Sequence, residues 1–129
     1  PITVLGWFAA ILVVFTLVAC GDSGAVQTAK TDHYMIQLGL NGGGFGERIA
    51  TIQILDEANQ PASVEQIVIA PVMEQMGMAS PEVAAQPLSL GYYQAKGEFF
   101  PMIGEWTVNV RVSAAGNEEV ATFKIQVTE

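Results

Sequence analysis

Between residues 105 and 113 the chain reads EWTVNVRVS, in which Trp106, Val108, Val110 and Val112 alternate strictly with Thr107, Asn109, Arg111 and Ser113. A period of two puts the four apolar side chains on one face of a strand, and that face must be buried. After AAGN the pattern resumes, with Ala121, Phe123, Ile125 and Val127 alternating with Thr122, Lys124, Gln126 and Thr128. The spacing predicts a C-terminal hairpin closed by a Gly116–Asn117 turn.

The same reading extends upstream. YMIQLGL sets Tyr34, Ile36, Leu38 and Leu40 against Met35, Gln37 and Gly39, and RIATIQILD sets Ala50, Ile52 and Ile54 on one face. DEANQPAS supplies a turn, with Asn59 and Pro61 as breakers. VEQIVIAPV and LSLGYYQAKGEFF add further strands, and no stretch of residues 21–129 carries a helical apolar stripe. The expectation is an all-β fold, an immunoglobulin-like antiparallel sandwich of six or seven strands over residues 34–129. The glycine-rich stretch NGGGFGE (41–47) lacks the Lys-Ser/Thr of a phosphate loop and precedes no helix, so it reads as a hairpin or wide loop.

Residues 1–20 are of a different kind. PITVLGWFAAILVVFTLVAC carries none of the chain's 5 basic and 13 acidic residues. Its length suits a single helical crossing of a bilayer by residues 2–19, preceding the sandwich. The end of the run, Leu17-Val18-Ala19-Cys20 followed by Gly21, resembles a bacterial lipobox, which would make Cys20 a lipidation site and account for a single unpaired cysteine. No Lys or Arg precedes the apolar run, unlike an ordinary signal peptide, and this favours retention as a transmembrane anchor over cleavage and lipidation. Either form tethers the domain to the bacterial cell membrane on its extracytoplasmic face. Residues 21–33, small and polar at their start, read as a flexible tether. The net charge of −8 excludes nucleic acid as a partner and argues against a polybasic contact with lipid.

Several pieces occur in a familiar order. They are the turn Asp56–Pro61, the methionine-rich stretch with Met73, Met76 and Met78, the Gly91–Tyr92 step, and a Met-x-Gly-x-Trp segment at Met102, Gly104 and Trp106. This order resembles the YtkA-like and FixH-like extracytoplasmic domains of bacteria, immunoglobulin-like relatives in style of CopC-type copper proteins. The resemblance spans residues 34–129 and implies copper handling or a role in the assembly of respiratory oxidases. Copper-handling relatives often carry His beside the methionines, whereas the one histidine here is His33, distant in sequence.

The chemistry of these residues allows two readings. Thioethers are soft donors suited to Cu(I), so Met73, Met76 and Met78 are candidate ligands, with Met102 as a fourth and His33 as an outlying nitrogen donor. Methionine also fills irregular gaps and forms contact surfaces. In that case the chain is an accessory subunit of a larger respiratory or photosynthetic electron-transfer complex in the membrane, with no metal of its own. Gly6, Ala9 and Ala10 would let the anchor pack closely against other helices. An enzyme is not expected, because His33 has no neighbouring nucleophile and Cys20 belongs to the membrane boundary.

Overall fold

The computed structural model describes residues 26–129; the expected anchor helix, Cys20 and the first part of the expected tether lie outside the described residues. The strands are β1 (Val26–Lys30), β2 (Met35–Leu40), β3 (Gly46–Leu55), β4 (Gln66–Met73), β5 (Met78–Ala79), β6 (Val83–Ala84), β7 (Gln86–Ser89), β8 (Tyr92–Phe100), β9 (Gly104–Ala114) and β10 (Asn117–Val127). A 3-10 turn, Glu74–Met76, joins β4 to β5. One sheet has the order β1-β2-β3-β8-β7 and the other β10-β9-β4-β5, with β6 also on β4, and all these pairs are antiparallel. The all-β sandwich expected from the alternation is therefore present, with more strands than the six or seven anticipated. The extra ones are short or lie at an edge, where apolar alternation carries little signal.

The core follows the alternation closely. Ile36 and Leu38 of β2, Ala50, Ile52 and Ile54 of β3, and Trp106, Val108, Val110 and Val112 of β9 are all buried, as are Ala121, Phe123 and Val127 of β10. Only Ile125 of that last set is half-buried, packed on the margin of the core. Phe100 stands against Trp106 with ring centroids 5.7 Å apart, which extends the core toward the start of β9.

Two local features depart from the sequence reading, and a third bears it out. Val26–Lys30, expected to belong to a flexible tether, pairs along β2 from Val26↔Gly39 to Lys30↔Met35. Strand structure is thus present at least eight residues upstream of residue 34, held by pairing along β2 and by the Gln27 side-chain amide donating to the Lys124 carbonyl at 2.8 Å. The C-terminal turn is one residue early. Ala114 pairs with Asn117, so the two loop residues are Ala115 (φ 51) and Gly116 (φ 78). The glycine-rich stretch forms the loop between the antiparallel strands β2 and β3, as its glycines suggested, and closes around Arg48, whose guanidinium donates to the carbonyls of Asn41, Gly42 and Gly44 and lies 5.7 Å from the Phe100 ring centre. Burial pulls the Arg48 pKa down, and the carbonyl dipoles take the place of a carboxylate partner. The glycines serve this wrapping.

Gly91, ahead of β8, shows why that position takes no side chain. Its φ is 78, and a Cβ there would meet the Pro61 Cβ at 2.8 Å and the Ile54 carbonyl oxygen at 3.1 Å. The Gly91 carbonyl also accepts from the Ile54 amide at 2.8 Å, locking the 56–61 turn against β8. The Asp56 carboxylate caps that turn by accepting from the amides of Ala58 and Gln60, each at 2.9 Å.

Candidate functional site

The strand directions divide the candidate residues between opposite ends of the sandwich. β4 climbs to Met73, where period two turns the side chain inward, and Met73 is 3% exposed. The chain reverses through the 3-10 turn, closed by Gly77 at φ 60, and Met78 lands opposite Met73. Met76 on the turn is 60% exposed and Met78 is 36% exposed.

The 101–103 loop meets them from the second side. Trp106 donates its indole N–H to the Met102 carbonyl at 3.0 Å, and Met102 packs half-buried on the core margin. Gly104 has φ 136, and a Cβ there would sit 2.7 Å from the Met73 methyl and 4.0 Å from its sulfur. The Met-x-Gly-x-Trp segment is therefore a packing device: Trp106 fixes the loop, and Gly104 leaves room for Met73. Met73, Met76, Met78 and Met102 share one end of the molecule. Met73 is committed to the core there, Met76 stands open on the turn, and Met78, on the same face as Met73 by register, is partly open at the edge of the sheet. Two more apolar side chains are open at this end, Phe45 at 57% exposure and Ile103 at 48%. Phe45 arrives because Gly46 pairs with Phe100 and Gly44 bridges to Thr128.

His33 stands at the other end. Its amide donates to one Glu119 oxygen at 2.8 Å, and its Nδ1 lies 2.9 Å from the other. Glu119 pairs with Val112, eight residues along β9 from Gly104, a separation of about 26 Å at the strand rise. His33 is not brought to the methionines, so it leaves the candidate ligand set. The hydrogen bond to Glu119, and then that carboxylate's charge, hold the His33 pKa above its ordinary value. Burial pulls Glu119 upward, but hydrogen bonds from the Thr31 side chain and from the His33 backbone and ring outweigh it, and the carboxyl stays below its ordinary value. Beside this pair opens a cleft of about 420 Å³ whose lining includes Tyr34, Asp56, Glu57 and Asn117. Among the described residues no group of three or more His, Cys, Asp or Glu side chains is placed to hold a metal ion. Sequence reasoning missed Glu119, which lies 86 residues from its partner and gives no local signal.

Compared with protein-family models, with curated proteins and with solved structures, the chain shows no significant match to any of them.

Proposed function

We propose that the protein is a non-catalytic accessory subunit of a larger bacterial membrane complex, anchored by residues 2–19 with its sandwich on the extracytoplasmic face. In this reading its methionine-bearing end is a contact surface. The observation that carries it is the split among the methionines: Met73 is consumed by packing against Gly104, while Met76, Met78, Phe45 and Ile103 stand open at the same end. Flexible thioethers beside open aromatic and aliphatic groups suit a surface that adapts to a partner. Immunoglobulin-like topology is part of the proposal. Setting aside β1, the orders β2-β3-β8-β7 and β10-β9-β4 follow the A-B-E-D and G-F-C sheets of that fold. The kinship with YtkA-like and FixH-like domains rests on Met102, Gly104 and Trp106 and on the turn before β4.

Fractionation of cells carrying the full chain tests the anchor. The full chain should stay in the membrane pellet through an alkaline carbonate wash, and a chain beginning at Gly21 should be released. Release of both would overturn the reading.

A second reading, a Cu(I) site, is favoured by one observation: Met73 and Met78 are direct cross-strand partners, and Gly104, at the end of the loop that carries Met102, lies against the Met73 methyl. Its ligands are then Met76, Met78 and Met102, with Met73 joining only by leaving the core. An anaerobic Cu(I) competition titration on residues 21–129 tests it, compared with a variant carrying Leu at 73, 76 and 78. One-to-one binding lost in the variant would establish the site, and no competition by the native domain would end the copper reading.

A further inference from the structure

We infer that the end of the sandwich formed by the 41–46 loop, the 74–77 turn and the 101–103 loop lies directly against the lipid bilayer, with Phe45, Met76 and Ile103 at the lipid–water interface. The inference rests on reading residues 1–20 as an anchor, and it names lipid as the first partner of the contact surface.

Chain geometry carries it. β1 runs antiparallel to β2, so traced backward from Lys30 to Val26 it heads toward the methionine-bearing end. Gln27 donates its side-chain amide to the Lys124 carbonyl at 2.8 Å, and Lys124 is three residues short of Val127, the last residue of β10 at that end. The first described residue therefore lies within about 10 Å of the end, at the rise of a strand. Six residue steps separate Cys20 from Val26, and they span at most about 20 Å when fully extended. To set the His33 end on the membrane, the same link would have to double back along the whole of β1. It would spend most of its reach only to draw level with the turn at 31–34. The short direct path puts the methionine-bearing end down.

The surface chemistry agrees. Phe45, Met76, Met78 and Ile103 supply apolar area at this end. The far end has its own open apolar groups, Leu88 and Leu90 on the β7–β8 hairpin. Around it, however, stand the carboxylates Asp32, Asp56, Glu57, Glu118 and Glu119, with Lys30 and His33 as the nearby cations. The methionine-bearing end carries Glu74 and Glu105, with Glu129 close to Gly44, and Glu47, paired with Lys96, and Glu98 stand on the adjoining ends of β3 and β8; both ends are acidic, so chain geometry chooses between them and apolar contact rather than charge would hold this one on lipid.

The test uses the full chain with Cys20→Ser, which leaves one reporter cysteine per variant, in vesicles of palmitoyl-oleoyl phosphatidylcholine. A nitroxide is attached in turn at Ile11→Cys, Phe45→Cys, Ile103→Cys and Leu90→Cys, and its accessibility to oxygen and to a water-soluble nickel chelate is read by power saturation. The expected result is an oxygen-to-nickel ratio several-fold higher at 11, 45 and 103 than at 90. Lipid exposure at 11 with water exposure at 45 and 103 would overturn the docking and leave the anchor standing. Water exposure at 11 would remove the anchor, and the docking with it. The three sandwich positions are solvent-exposed, so labels there leave the core intact, which an unchanged thermal transition confirms.

Discussion

Replacing Met73 by alanine removes a side chain that is 3% exposed and leaves the space between β4 and Gly104 unfilled. Deleting a buried methionine costs about 2–5 kcal/mol, the transfer term plus the cavity that remains. Met73→Leu conserves volume and should cost less than about 1.5 kcal/mol. Met76→Ala and Met78→Ala remove exposed groups and should stay within about 0.5 kcal/mol of wild type. The assay is urea unfolding of residues 21–129 in the presence of a metal chelator. Trp106 is the sole tryptophan of that fragment and is fully buried, so its fluorescence reports the core. For a domain of this size about 1 kcal/mol moves the midpoint temperature by roughly 4–8 °C, so the alanine variant should melt well below the others. If Met73→Ala is as stable as wild type in chelator, Met73 is not a packing residue and the division of the methionines drawn here is wrong.

Gly91→Ala should destabilise the domain by about 1–3 kcal/mol, because φ 78 is joined by contact with Pro61 and the Ile54 carbonyl; a denaturation midpoint unchanged from wild type would refute the tight approach. Ala115→Asn should raise stability by about 0.5–1 kcal/mol in the same assay, since Ala115 holds φ 51 and Asn-Gly suits a two-residue hairpin turn. The His33–Glu119 pair should imprint a pH dependence. His33 has a raised folded pKa, so its contribution is full below its ordinary 6.5 and fades as pH rises through the folded value. Glu119 has a lowered one, so its contribution is present above its ordinary 4.5 and fades as pH falls through the folded value. The pair therefore contributes most between those limits, and His33→Gln should flatten the melting temperature between pH 6 and 8 relative to wild type. Equal slopes in the two proteins would show that the contact does not persist in solution.

Much of the sandwich is legible in the sequence because its long strands obey period two over many residues. β3, β9 and β10 announce their buried faces through Ile52, Val110 and Phe123, and a one-residue slip would turn each face to water. Val26–Lys30 is not legible, since VQTAK has no apolar repeat and its place is set by the open edge of β2. The two-residue strands β5 and β6 carry no periodicity at all, and they are held by pairing with β4. The turn at Ala115–Gly116 lies one residue from its expected place because Gly116-Asn117 is the stronger local signal, and register along β9 overrules it. For the methionines, sequence spacing indicates a shared end and cannot divide them. Whether a thioether points inward at Met73 or outward at Met76 depends on where β4 stops, and Gly104's room for the Met73 methyl comes from another strand. The Arg48 clamp and the Glu119 partner of His33 depend on folded proximity in the same way.

The decisive question is on which side of the membrane the anchored sandwich stands. Intact spheroplasts carrying the full chain are treated with a membrane-impermeant amine reagent, the membrane pellet is washed with alkaline carbonate, and modification at the exposed Lys96 is mapped by mass spectrometry. Full modification of Lys96 is expected in intact spheroplasts, on a chain that stays in the washed pellet. Modification only after lysis, or a chain that leaves the pellet, would contradict that expectation.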